Sequence, residues 1–503
     1  MAGFLRTLPP APSSFFLSPP HPRQSNLIST AATNKPVRSV KATALAEVAT
    51  AAGDRGVNKL SARTSMRQER WEGDLAVEGH LPLWLNGTYL RNGAGVWEVG
   101  DSAFDHLFNG YATLVRVSFR QGRAIGAHRQ IESDAYRAAK AHGRPLHRAF
   151  AYRPKPANLI DRVRNVVGLI TGTATTDNPN VLVAQLGDGR VVCLSEPTRS
   201  TALVDPETLE TVGKFGYTDK VGGILQSGHP VVNGSEFLTL LPDLFRPGYT
   251  VVRMEAGSAH RGYTDLFLPV CLRLWRAPAV QLPQHTHKDR PVASVEVPPF
   301  MAIHFVNAYE ETREDGQAAS AVIVDCCEHY GDPAIIETLV LNRLRSFRDE
   351  NVLPDARVGR FRIPLDGSPF GELESALDPD EHGRGMDMCS INPAYLGKKY
   401  RYAYACGARR PCNFPNMITK VDLVEKKAKN WHDEGAVPWE PFFVARPGAT
   451  EEDDGVIISI VSTMEGDGHA LVLDARTFEE VSRVRFPYGL PYGFHGCWIP
   501  ERI

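Results

Sequence analysis

The chain has no acidic residue before Glu47 and no surplus of either charge, with 56 basic against 58 acidic side chains in 503 residues. It also lacks the run of about 18 apolar residues that a membrane-crossing helix requires. Balanced charge excludes a basic nucleic-acid binder and an acidic disordered tail, so no nucleic-acid partner is expected. The 8 cysteines fall in no framework spacing, which reads as a reducing compartment with thiols buried as small apolar groups. A glycine-rich phosphate loop is missing, as is any Ser/His/Asp or Cys/His nucleophile signature. Turn formers, by contrast, are plentiful: 43 Gly and 37 Pro stand beside an ordinary 43% of hydrophobic residues. That is about one residue in six, against a usual ~12%, and it favours many short strands over long helices.

The acid-free start holds Arg6, Arg23, Lys35, Arg38 and Lys41, many hydroxyls, and Pro9, Pro10, Pro12, Pro19, Pro20 and Pro22. A basic, hydroxyl-rich and acid-poor segment has the composition of an organelle transit peptide, and so many prolines break a continuous helix. Residues 1–50 are therefore expected to be a plastid transit peptide. Folded sequence is expected from about Arg67, where Trp71, Leu75, Leu81 and Leu83 appear.

Beyond that point short β-branched runs alternate with turn dipeptides. Asn180–Leu186 meets Gly187-Asp188-Gly189 and returns as Arg190–Leu194, the pattern of a tight hairpin. Thr201–Val204 runs into Asp205-Pro206-Glu207-Thr208-Leu209-Glu210, and Ala470–Leu473 into Asp474-Ala475-Arg476-Thr477-Phe478-Glu479. A weaker echo begins at Lys420-Val421-Asp422-Leu423. Recurrent strand–Asp turn–strand units fit the blades of a β-propeller, each burying its faces against its neighbours. A large β-sandwich also accommodates three such hairpins. Helical spacing is confined to two stripes, Leu159 to Ile170 and Ile335 to Phe347. Both read first as core-facing, although Arg162 and Arg164 would let the first rest on a bilayer surface.

Three of the 16 histidines have unusual settings: His229 in Ser227-Gly228-His229-Pro230, His304 after Met301-Ala302-Ile303, and His495 in Gly493-Phe494-His495-Gly496. Taken singly, each reads as a hydrogen-bonded core histidine, and their separations match no local zinc motif. A propeller alters this, because inner strands of remote blades converge on one axis and could bring several imidazoles to one metal ion. Cys326-Cys327-Glu328-His329 looks like a ligand cluster, but neighbours on a strand point to opposite faces, so it is set aside. Glu451-Glu452-Asp453-Asp454 reads as a solvated loop.

The contexts of these three histidines resemble the plant carotenoid cleavage dioxygenases, and within them the plastid branch that makes carlactone, the strigolactone precursor. Supporting phrases are Leu85–Gly93, His106–Ala112, His128–Ser133, Leu353–Asp380 and Gly383–Gly407, and the similarity spans about residues 67–256 and 291–503. The resemblance implies an all-β fold, a seven-bladed propeller with a helical cap on the active-site face, forming one domain over 67–503. It further implies Fe(2+) held by four neutral imidazoles, three of which map onto His229, His304 and His495. Carboxylates accepting the second ring N–H map onto Glu196, Glu440 and Asp387; many relatives carry the longer Glu at the last position. The implied substrates are an apocarotenoid and dioxygen, with cleavage and rearrangement of a cis-apocarotenal to carlactone. The implied setting is the plastid stroma, as a monomer with peripheral contact to plastid membranes, the Leu159–Ile170 segment being a candidate for that contact.

One departure stands out. The His-Ser-Phe-type motif that supplies the remaining ligand in relatives has no counterpart, and an unfamiliar segment at about 258–290 occupies its place. His260, His285 and His287 lie inside it without resembling that motif. One blade is therefore expected to be incomplete, and Glu196 is expected to have lost its imidazole partner. The alternatives to the carlactone-forming reading are a catalytically impaired homologue, or a related oxygenase that cleaves another carotenoid.

Overall fold

In the computed structural model the described residues are 63–501, apart from 155–174, 197–200, 219–226, 234–235, 243–248, 256, 259–260, 267–278, 284–290, 313–318, 346–352, 378–383 and 464. The chain divides into two units, Met1–Asp54 and Arg55–Ile503, and all described residues belong to the second. The Leu159–Ile170 stripe and His260, His285 and His287 lie outside the described residues.

The second unit is an all-β propeller. Blade 1 contains the strands Arg70–Asp74, Arg123–Gln130, Tyr111–Arg120 and Gly87–Val96, and is completed by Gly496–Pro500 from the other end of the chain. Blade 2 runs Thr211–Phe215, Thr201–Val204, Val191–Leu194, Leu182–Gln185, and blade 3 Val231–Asn233, Glu236–Pro242, Tyr249–Glu255, Arg261–Leu266. Blade 4 holds Ala302–Thr312, Ala319–Glu328, Arg357–Pro364 and Glu372–Ser375; blade 5 holds Arg384–Ser390, Tyr402–Ala408, Met417–Asp422 and Lys427–His432. Blade 6 combines Ala76–Gly79, Glu480–Phe486, Gly468–Asp474 and Gly455–Thr463, with Ala436–Pro438 and Phe442–Ala445 both paired to the last. Six blades are thus present among the described residues, where seven were expected. Between blades 3 and 4 the described residues form a two-stranded sheet, Ala279–Pro283 with Pro291–Glu296. This is the stretch in which the unfamiliar segment falls.

The recurring Asp turns explain the internal echo. Asp205 Oδ1 accepts the Glu207 and Thr208 amides, Asp422 Oδ1 those of Val424 and Glu425, and Asp474 Oδ1 those of Arg476 and Thr477. Four residues after each Asp the backbone turns left-handed, at Leu209, Lys426 and Phe478. The aspartate satisfies the turn's free amides, and so stabilises a conformation these side chains ordinarily avoid.

Cohesion comes from apolar seams between blades. Leu90 and Leu114 of blade 1 pack with Val183 and Cys193 of blade 2. Val192 and Leu194 meet Phe237 and Met254 of blade 3. Val306 and Val358 of blade 4 meet Ala405 and Val421 of blade 5, while Tyr404 and Ile418 meet Phe443 and Ile457 of blade 6. Burying a side chain of this size stabilises by about 1.5–3 kcal/mol, so a blade cannot hold its faces alone.

The Ile335–Phe347 stripe does not form one helix. It breaks into Ala334–Thr338 and Leu341–Leu344, with Val340 extended between them. The break is set by tertiary hydrogen bonds: Leu107 N–H donates to Leu339 O at 2.9 Å and Leu341 N–H to Asp105 O at 2.8 Å. Ile335, Leu339, Leu341 and Leu344 are nonetheless buried, so the expected apolar face is real.

Candidate metal centre

Inner-strand irregularities aim the side chains of the site. In blade 4, Ala302 is opposite Glu328 and Phe305 opposite Cys326, so Ile303 and His304 together face Cys327. In blade 5, Asp387 is opposite Cys406 with register shifts on both sides. Such bulges rotate a side chain out of the strand's alternation, here toward the propeller axis. His229 precedes the first strand of blade 3, and His495 the final strand of blade 1. The His495 backbone is clamped from two blades: its N–H donates to Val181 O at 3.1 Å and its carbonyl accepts from Asn92 N–H at 3.0 Å. Gly493 lets the chain pass close to Trp439, since a Cβ there would sit 2.5 Å from the indole ring.

His229, His304 and His495 meet, with one ring nitrogen from each lying within 4.8 Å of the others. Ring centroids are 5.0 Å apart for His229–His495 and His304–His495, and 5.7 Å for His229–His304. Each Nδ1 turns outward to a carboxylate. His304 Nδ1 is 2.6 Å from Asp387 Oδ1, His495 Nδ1 is 2.8 Å from Glu440 Oε1, and His229 Nδ1 is 3.4 Å from Glu196 Oε1. Every one of these pairs crosses from one blade or its border to another: 4 to 5, 1 to 6, and 3 to 2. A carboxylate accepting the Nδ1 proton fixes the tautomer that leaves Nε2 free as a donor atom.

The site is uneven. The His304 and His495 side chains are only 13% and 11% exposed, whereas His229 and Glu196 are 41% and 51% exposed. Arg91, fully buried, donates from Nη1 to Glu440 Oε2 at 2.5 Å. Burial alone would raise the Glu440 pKa, but His495 and the Arg91 guanidinium outweigh it and hold it at about 2. At His495 burial prevails over Glu440 and lowers the ring to about 4, keeping it a neutral imidazole. At His304 burial also favours the neutral ring, but the Asp387 carboxylate outweighs it and raises the pKa to about 9.

These residues fit a divalent metal ion. His304 Nε2 and His495 Nε2 are 3.2 Å apart, and two nitrogens bound at right angles about 2.1 Å from one ion lie about 3 Å apart. With all three rings neutral, as they must be to ligate an ion, the three carboxylates offset by one guanidinium leave a surplus of two negative charges, which a divalent cation cancels. Among the described residues no fourth imidazole joins the cluster.

Two expectations need correction. Glu196 is not left without a partner: its Oε1 accepts from Gly228 N–H at 3.0 Å and Ser227 Oγ at 3.2 Å and faces His229 Nδ1. The Ser227-Gly228-His229 turn brings all three donors to one oxygen. The Cys326–His329 cluster, set aside because alternate residues diverge, does diverge, but His329 reaches the site's rim and lies with Nε2 3.1 Å from Asp387 Oδ2. Arg91 and His329 were thus missed. Arg91 carried a signal, a single Arg in the otherwise uncharged run Leu85–Gly93, which a buried strand tolerates only with a partner.

The three rings open onto a cavity of about 360 Å³ whose walls include Leu107, Phe108, Ile336, Leu339, Phe414 and Phe494. The lining is mostly apolar, and its ionisable side chains include those of the histidine–carboxylate cluster, so it suits an apolar molecule presented to a metal ion.

Comparison with known proteins follows the same lines. Residues 63–271 and 279–500 match the RPE65 family, described as retinal pigment epithelial membrane protein. The chain is 62% identical to Carotenoid cleavage dioxygenase 8 homolog A, chloroplastic, of Oryza sativa subsp. japonica, covering 98% of this chain and 97% of the relative. It is 52% identical to Carotenoid cleavage dioxygenase 8, chloroplastic, of Arabidopsis thaliana, covering 87% and 85%. The rice alignment runs over 543 positions, more than the 503 residues available, so it opens gaps in this chain. Cobalt-substituted Synechocystis apocarotenoid oxygenase superposes with a TM-score of 0.68 at 20% identity, over 89% of this chain and all of that one. At that identity the likeness speaks for the fold.

Proposed function

The chain belongs to the RPE65 family of carotenoid cleavage oxygenases, and from that membership we propose that it is a plastid, Fe(2+)-dependent dioxygenase that cleaves and rearranges a cis-apocarotenal to carlactone in strigolactone biosynthesis. The observation that carries the reading is the meeting of His229, His304 and His495, each backed by a carboxylate from across a blade border. These three rings would hold the iron, with Glu196, Asp387 and Glu440 orienting them. Bound Fe(2+) supplies the activation of dioxygen for oxidative scission of a polyene double bond. The chain's own share is position and dryness: apolar walls bury the polyene at about 25 cal/mol per Å², and the three imidazoles would face the reacting end.

As a plastid protein it would carry residues 1–50 as its transit peptide, followed by a single oxygenase domain over 67–503. The two-stranded sheet before blade 4 is read as the remnant of a seventh blade, and the short helices at 334–344 as part of a cap over the cavity. The protein is proposed to act as a monomer that draws its substrate from plastid membranes.

A second reading has its own support. The third ligand pair, His229 with Glu196, is the exposed one. A three-imidazole centre of this kind could bind iron weakly and leave a catalytically impaired homologue. Measuring iron per chain and incubating the chain with the cis-apocarotenal under oxygen decides between them: carlactone supports the first reading, and no product with iron well below one equivalent supports the second. Products from a full-length carotenoid alone would point to a related oxygenase of other specificity.

A further inference from the structure

The geometry points to His329 as a positioning residue of the metal centre, holding the second oxygen of Asp387 so that the first stays on His304. This rests on the metal-binding reading of the three imidazoles. Asp387 is a forked link. Its Oδ1 receives His304 Nδ1 at 2.6 Å and the Met388 amide at 2.9 Å, and its Oδ2 receives His329 Nε2 at 3.1 Å. Aspartate has one χ fewer and one methylene less than glutamate, so its carboxylate cannot swing far without losing one of these contacts. With partners on Oδ1 alone the carboxylate could still rotate about χ2; the second imidazole, on Oδ2, removes that freedom.

His329 is built for this contact. It is only 2% exposed, and Nδ1 has no hydrogen-bond partner, so the Asp387 contact is the one that its ring makes. Donation to a carboxylate places the proton on Nε2. Its backbone is fixed on both sides, with His329 N–H donating to Met301 O at 2.7 Å and Asp332 N–H to His329 O at 2.9 Å. The next two residues, Tyr330 and Gly331, are both left-handed, which makes the turn sharp. Met388 is left-handed as well, at φ 52°, and its amide donates back to Asp387 Oδ1. Local strain of this kind persists where surrounding contacts over-determine it. Since Met301 lies on the run that leads to His304, both imidazoles on the carboxylate are tied to one piece of blade 4, and Asp387 staples them to blade 5.

The test uses the full chain and Co(2+) as the probe, read by its visible absorption and by titration, beside thermal unfolding. His329→Leu is expected to weaken Co(2+) binding roughly 10–100-fold, the loss usual for an outer partner of a ligand, and to alter the absorption band of what remains bound. Asp387→Ala should weaken it comparably, and the double variant little further. Glutamine, whose amide nitrogen sits near the Nε2 position, should restore affinity to within a few-fold, whereas His329→Asn, one methylene shorter, should not. If His329→Leu fails to fold, the Gln and Asn variants decide by the same contrast. Equal affinity in the Leu variant and the wild type, additive losses with Asp387→Ala, or Gln and Asn binding alike would each overturn the proposal. A wild-type chain that takes up no Co(2+) overturns the metal reading beneath it, which separates the two failures.

Discussion

His304 and His495 present their Nε2 atoms to one another at 3.2 Å, although 191 residues separate them in the chain. At that separation a proton on His304 Nε2 can be shared with His495 Nε2, and an ion bound between the rings would take that proton's place; each ring is held there by a carboxylate of the adjoining blade.

Glu440 serves this arrangement as the meeting point of His495 and Arg91. Replacing Arg91 with Leu leaves a buried carboxylate short of a cation. It should cost about 3–5 kcal/mol in urea unfolding, with Arg91→Lys recovering part of it. A variant as stable as the wild type would show that Arg91 adds nothing to the site.

The passage of Gly493 beside Trp439 makes a second, steric prediction. Gly493→Ala places a methyl group on the indole and should destabilise by about 1–3 kcal/mol. It should also lower metal uptake more than Gly448→Ala, whose added Cβ meets open space. Gly448 has its own left-handed strain, so the comparison separates displacement of His495 from general strain. Equal metal uptake by both variants would argue against such displacement.

His469 supplies a pH dependence that lies away from the site. It is 1% exposed, neither ring nitrogen has a partner, and burial together with Arg483 and Arg485 lowers its pKa to about 4. A histidine whose folded pKa lies below its unfolded value of about 6.5 contributes stability above that value and loses it on acidification. Between pH 7 and pH 5 this one group should remove roughly 2 kcal/mol. Denaturation midpoints of wild type and His469→Leu measured at both pH values check it, and the variant should show a visibly smaller drop.

Much of this is legible in the sequence. The Asp turns at Asp205, Asp422 and Asp474 repeat because each caps the same hairpin, and the three histidine contexts mark strand ends that the propeller gathers. What stayed hidden depends on where bulges fall. Whether His304 or Phe305 faces the axis turns on one extra residue opposite Cys327, and no local pattern announces it. His329 was dismissed by strand alternation, a rule that ends with the strand at Glu328. Glu196 found a ring because Ser227, Gly228 and His229 turn together, a geometry that composition does not encode. The Ile335–Phe347 stripe kept its buried face but lost its continuity to hydrogen bonds with residues 105–107.

Iron bound per chain tests the central claim most directly. The purified full chain, loaded with Fe(2+) without oxygen and freed of excess, should retain close to one iron, and a His304→Ala/His495→Ala double variant should retain almost none. Iron well below one equivalent in the wild type, or the same content in both, would contradict a ferrous centre at these three imidazoles.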